Sequence, residues 1–184
     1  EVHSYRVIDL FYKVRDEHHS YVDTETLASL EYEKKLHEGR RKVYEHMKFD
    51  LQKHTVSYFD AKGNFKNESE TSENAQDQVS CGYYTRTLEF AEKSSIFIPV
   101  HADKRNWNLE VKFHEASSLS LGKTGKFQVL RMEPLMEFQG IFIRKGKVES
   151  WISLDKRRIP LKMKVKIPVL GNITAELVEY HSGE

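Results

Sequence analysis

The sequence predicts a mostly β protein: a curved antiparallel sheet or partial barrel with one helix packed against it. Three observations carry that prediction. Several stretches alternate apolar and polar residues, the period of a half-buried strand. Turn-forming residues punctuate those stretches at short intervals. Only one segment, 78–88, spaces its larger residues like a helix, with Val79, Tyr83 and then Arg86 and Thr87.

Taken in order, Tyr5 to Arg15 reads as a strand by its density of Val, Ile, Phe and Tyr. A second strand ends at Tyr21-Val22-Asp23, and Thr24-Glu25-Thr26 is a polar turn. Residues 25–51 pose a conflict. Their Leu, Glu, Lys and Arg content favours a helix by propensity. Their period favours strands, because Val43, Glu45, Met47, Phe49 and Leu51 share one parity while Lys42, Tyr44, His46, Lys48 and Asp50 share the other. Upstream, Leu30, Tyr32 and Leu36 also share parity. Gly39, in His37-Glu38-Gly39-Arg40 between the two runs, supplies a positive φ, so the segment reads as a long β-hairpin.

Thr55 to Asp60 is a strand closed by the turn Ala61-Lys62-Gly63-Asn64, and residues 65–77 read as an acidic, mobile loop. Beyond the helix, strands are expected at Ser94 to His101, Trp107 to Glu115, Phe127 to Leu135 and Glu137 to Arg144. Further strands follow at Lys147 to Leu154, Ile159 to Val169 and Ile173 to Tyr180. Turns fall at Asp103 to Asn106, Gly122 to Gly125, Lys145-Gly146 and Gly171-Asn172.

A length of 184 residues fits a single domain, 1–184, with a core that needs no staples. The lone Cys81 excludes an internal disulfide. A net charge of +1 removes the bulk electrostatic case for nucleic acid as a partner. No run approaches the roughly 20 apolar residues of a membrane-spanning helix. The chain opens Glu1-Val2-His3-Ser4, with neither a basic nor an apolar leader segment, as expected of a processed or truncated chain or of a cytosolic one.

Several motifs invite chemistry and fail on spacing. Gly122-Lys123-Thr124 resembles the end of a phosphate loop, but the position five residues before Gly122 is Ser117, and the flanks are strands, so a hairpin turn is expected. His18-His19 are adjacent on a strand and point to opposite faces, and no Cys/His spacing suits zinc, so no metal and no cofactor is expected. Cys81 reads as a buried structural residue. Asn67-Glu68-Ser69 and Asn172-Ile173-Thr174 fit a glycosylation pattern that recurs by chance.

The basic region is more informative. Nine Lys or Arg residues and only two acids, Glu149 and Asp155, lie between Arg144 and Lys166. Lys162, Lys164 and Lys166 alternate with Met163, Val165 and Ile167, which puts a lysine ladder on one face of a strand and core on the other. A solvated face is the simpler account; a site for anionic head groups, glycans or an acidic partner is the functional one. In Asp155-Lys156-Arg157-Arg158-Ile159-Pro160, Asp155 is placed to pair with Arg157 or Arg158 and shape a connection that ends at Pro160.

Trp151-Ile152-Ser153-Leu154-Asp155, Arg158-Ile159-Pro160 and Gly171 to Leu177 resemble the C-terminal signature of the bacterial domain-of-unknown-function family 3108 (DUF3108). Tyr21-Val22-Asp23, Glu38-Gly39-Arg40, Phe49-Asp50, Ser80 with Tyr83, Tyr84 and Arg86, and Ile98-Pro99-Val100 extend the resemblance over nearly the whole chain. The resemblance implies an exported protein, periplasmic or associated with the outer envelope, with a half-barrel distantly similar to periplasmic lipoprotein carriers. The resemblance carries no catalytic residue over to this chain, and no enzymatic activity is expected. It also implies further N-terminal strands ahead of Tyr5, which are expected to be missing from this sequence.

Three functions remain open on these residues. The first is an envelope binding protein that encloses a lipid, acyl chain or lipopeptide, with Phe11, Tyr83, Tyr84, Phe113, Phe142 and Trp151 as candidate lining. Arg144, Lys145, Lys147, Lys162, Lys164 and Lys166 would then hold a negative head group. The second is a structural or interaction protein of the envelope, docking a partner through a sheet edge or the basic face. The third, an enzyme using Asp155 with a histidine, has no motif behind it.

Overall fold

The computed structural model describes residues 2–3, 15–135, 147–167 and 171–181. The chain is mostly β, with two six-stranded sheets, antiparallel in the strand pairs between β1 and β6 and between β8 and β12, and one short helix. Its residues group into two compact units: Glu1–Thr85 with Pro99–Asn106, and Arg86–Ile98 with Trp107–Glu184. The strand expected over 5–15 lies outside the described residues except for Arg15, and the one over 137–144 lies outside them entirely.

The first unit holds β1 (Val2–His3), β2 (Arg15–Val22), β3 (Ser29–Glu38), β4 (Arg41–Asp50), β5 (Thr55–Phe59) and β6 (Phe65–Glu70). They neighbour one another in sequence order, so the sheet is a meander. Parity decides the 25–51 segment as the sequence predicts. Glu38 pairs with Arg41 across a two-residue turn whose first residue, Gly39, has φ 59°, where an L side chain would crowd the backbone. Tyr32, Met47 and Tyr58 face each other in register across β3, β4 and β5. With Phe49, Val56 and Ala75 they form the buried core, and Leu51 and Val79 pack against it.

The acidic loop expected over 65–77 is corrected by the structure. Phe65–Glu70 is a strand paired with β5. It occupies the sheet edge with its side chains mostly exposed, so it carries no apolar alternation. Further along, Ala75 to Gln78 is buried. Gln76 forms a parallel bridge to Val100: its N–H donates to the Pro99 carbonyl at 2.8 Å, and its own carbonyl accepts from the His101 N–H at 2.8 Å. The Ala75 carbonyl accepts from the Ser29 N–H at 3.1 Å.

That segment leads into α1 (Ser80–Thr85), shorter than the 78–88 expected. The helix starts where Asp77 caps it. Asp77 Oδ1 accepts the N–H groups of Val79 at 2.7 Å and Ser80 at 2.9 Å, and the Ser80 hydroxyl accepts the Asp77 N–H at 2.8 Å, a reciprocal capping box. Asp77 Oδ2 accepts the hydroxyls of Ser20 on β2 at 2.6 Å and Ser29 on β3 at 2.8 Å. Asp77 is fully buried, so each donor would lose its partner with the carboxylate. Asp77→Ala is expected to lower unfolding stability by about 2–4 kcal/mol, read as a fall in the urea midpoint; a change within error would show that the network carries no stability.

The second unit holds the first half of β7 (Ser95–Ala102) and most of β8 (Arg105–Leu121), then β9 (Gly125–Leu135), β10 (Lys147–Ser153), β11 (Pro160–Ile167) and β12 (Gly171–Glu176). The order β12-β11-β10-β9-β8-β7 is again a meander. Gly122–Thr124 is a 3-10 turn between β8 and β9, with Leu121 opposite Gly125, so the glycine–lysine–threonine motif is a hairpin connection. Leu121, Val129, Ile159 and Leu161 form a core cluster joined by Leu119, Phe127, Trp151 and Leu177. Pro160 opens β11, where its missing N–H is tolerated. The connection before it is shaped by Asp155, which takes two donors of the Arg157 guanidinium at 2.9 and 2.5 Å.

Candidate functional site

The second sheet carries a defect in its register, and a groove lies there. Phe113 pairs with Met132 and Ala116 with Leu130, so His114 and Glu115 together oppose Arg131 alone. Such a bulge bends the strand and re-aims its side chains. The groove has a volume of about 610 Å³ and is lined by Lys93, Lys112, Phe113, His114, Arg131 and Trp151, among others. Phe113 is 2% exposed and acts as wall. Phe90 stacks on it with centroids 4.4 Å apart, and the Arg158 guanidinium covers Phe90 at 4.4 Å. Two of the six aromatic candidates, Phe113 and Trp151, therefore line one groove. Tyr83 and Tyr84 sit on α1 in the first unit, where Tyr83 is 63% exposed. Phe11 and Phe142 lie outside the described residues.

Charge is ordered by cross-strand register. Arg131, Trp151, Lys162 and Glu176 form one row across β9 to β12. Glu149 and Lys164 form the next row on that face, and Lys147 and Lys166 the one after. The Lys162 ammonium lies 5.9 Å from the Trp151 ring centroid and 2.7 Å from Glu176. Lys147 bridges Glu133 at 3.1 Å and Glu149 at 3.6 Å, Glu149 also holds Arg131, and Glu133 holds His114 at 3.1 Å. Burial pushes Glu149 up, but Arg131 and Lys147 outweigh it and keep the carboxyl below the usual range. Lys164 and Lys166 make no ion pair among the described residues. Arg144 and Lys145 lie outside them. Val165 is buried on the opposite face, so the lysine ladder stands where alternation places it.

Lys93, Lys112, His114 and Arg131 were not singled out by sequence as groove residues. One signal was present: Arg131 shares parity with Phe127 and Val129, a charge on an otherwise apolar run. The bulge that gathers the others leaves no mark in composition or period.

The sequence model of the family described as "Protein of unknown function (DUF3108)" matches residues 2–178. The chain belongs to the DUF3108 family. No curated protein and no solved structure matches it. The matched span contains both sheets, the Asp77 network and the whole groove of this DUF3108 chain.

Burial pushes the Cys81 thiol up to about 12, and its sulfur donates to the Gln78 carbonyl at 3.5 Å. Cys81 is half-buried by exposure, so with its raised thiol it is expected to react slowly with iodoacetamide at pH about 8 while folded and fully in urea; equal rates in both states would contradict the raised thiol. Asp155 bonds Ser153 and Arg157, not a histidine, and its carboxyl is held low by Arg157 first and Ser153 second. Among the described residues no three His, Cys, Asp or Glu groups gather as metal ligands.

His101 is fully buried. Asn106 donates its amide N–H to the Glu70 carbonyl at 3.1 Å, so its Oδ1 accepts from His101 Nδ1–H at 2.6 Å. His101 Nε2 is then left to accept the Tyr58 hydroxyl. Burial lowers the affinity of His101 for a proton, and burial does the same at His18. The unfolded chain therefore binds more protons than the folded one once the pH falls through the ordinary histidine value of 6.5. Stability from this source is full above that value and declines below it. The urea midpoint is expected to fall between about pH 7 and pH 5, with a smaller fall in a His18→Gln/His101→Gln double variant; equal slopes would remove the histidines as the cause.

Proposed function

We propose that this chain is a non-enzymatic, exported protein of the bacterial envelope that binds the anionic head-group region of a lipid or lipopeptide in the groove of its second unit. The observation that supports the reading is the company Trp151 keeps. One open groove combines an aromatic side chain with Arg131, Lys112 and Lys93, and Lys164 and Lys166 continue the same face beyond it. An acyl chain calls for an enclosed, largely apolar cavity. This groove is open and charged, so it suits the head-group end with a short apolar segment against Trp151. The pair between Lys93 and Glu115 joins two side chains each 71% exposed, a contact that solvent already weakens and that a ligand anion exchanges readily. The non-enzymatic part of the reading rests on His114 and Arg131, which are engaged with Glu133 and Glu149.

A second reading, a docking face for an acidic protein partner, is favoured by β12, which ends the sheet order beside the lysines of β11.

The test is co-sedimentation with vesicles of phosphatidylglycerol or phosphatidylcholine, with tryptophan emission followed in parallel. The head-group reading expects binding to the anionic vesicles, weakened by salt, and a blue shift that Trp151→Phe removes. Equal binding to both lipids, or a shift that persists in Trp151→Phe, would count against it. Salt-sensitive capture of one acidic protein without vesicle binding would favour the docking face.

A further inference from the structure

Arg131 stands at the centre of the groove's charge and is only partly used. A guanidinium carries five N–H donors in a planar fork. Among the described residues, the contact Arg131 makes to an acceptor is a single Nη1 bond to Glu149 Oε1, with side chains 32% and 19% exposed. Glu149 is shared, because Lys147 holds the same oxygen at 3.6 Å. Arg131 is opposite both residues of the bulge on one side and opposite Trp151 on the other. A planar oxyanion placed against that fork would also meet the Trp151 ring.

We infer that Arg131 is the specificity-determining residue of the groove for a phosphate or carboxylate group, and that Glu149 is an internal stand-in which that group must displace. The inference rests on the ligand reading above and adds its chemistry. While Glu149 is on Arg131, the pair is neutral and the groove shows only part of its positive charge. When an external oxyanion takes two donors of the fork, Glu149 keeps Lys147 as partner, so no carboxylate is stranded. Removing an acid from this site therefore tightens binding of an anion by more than simple charge would. Replacing Arg131 by lysine keeps the charge and loses the fork.

The experiment is calorimetric titration of the full chain, wild type, Glu149→Gln and Arg131→Lys, with inorganic phosphate and, separately, with phosphatidylglycerol vesicles. Urea midpoints of all three confirm that each variant is folded. Glu149→Gln is expected to bind phosphate about three- to tenfold more tightly than wild type, and Arg131→Lys about tenfold more weakly. No phosphate binding to any of the three, no gain in Glu149→Gln, or no loss in Arg131→Lys overturns the inference. Vesicle binding that Arg131→Lys leaves unchanged overturns it too, while the head-group reading stands. Phosphate binding in the expected order without vesicle binding keeps the inference and removes the lipid as the source of the oxyanion.

Discussion

The first unit is organised by the buried side chain of Asp77. Among the described residues, its hydrogen bonds come from hydroxyls and backbone N–H groups, none from a lysine or arginine. A charge in that position persists only if donors meet it from every side. The donors come from β2, from β3 and from the first turn of α1, so satisfying one side chain fixes where three elements stand. The neighbouring backbone follows. Gln76, one residue earlier, is placed to bridge Val100, and Ala75 to accept from Ser29.

The second sheet divides one of its faces between two kinds of contact. Towards the 3-10 turn, Leu119, Leu121, Phe127 and Val129 pack with Leu161. Two residues on from Val129 in the same strand, Arg131 begins the ionic region that runs through Glu149, Lys147 and Glu133 to His114. Trp151 belongs to both, packed on the apolar cluster and lining the groove. Amphipathic side chains are suited to such a border.

What was legible in the sequence was what the period encodes. Met47 and Phe49 are buried and Lys48 is exposed, so alternation overrode the helical composition of that segment. The lysine ladder and the Gly122 turn were readable for the same reason, since both depend on local spacing. Features without a local signature were missed. The strand at Phe65–Glu70 is an exposed edge, and its polar residues look like a loop. Asp77 reaches Ser20 and Ser29 at sequence separations of 57 and 48, which no window can see. The groove needs a register shift between β8 and β9, a property of two strands together, so Phe113 and Trp151 were picked out as aromatics without Arg131 and His114 beside them.

The strand order of both sheets bears on how the chain reaches its structure. In each sheet, neighbours in space are neighbours in sequence. Among the described residues, the connections from β2 to β6 and from β8 to β9 are short, an arrangement that favours fast pairing. A chain emerging N-terminus first can zip its first sheet strand by strand. The exceptions are the bonds that lock that sheet: Asp77 to Ser20 and Ser29, and the bridge from Gln76 to Val100. The Asp77 bonds can close once the helix start at residue 80 has appeared, and the Gln76 bridge only after residue 100. The first sheet therefore assembles early, and its last lock, the bridge to Val100, stays open until synthesis is more than half complete.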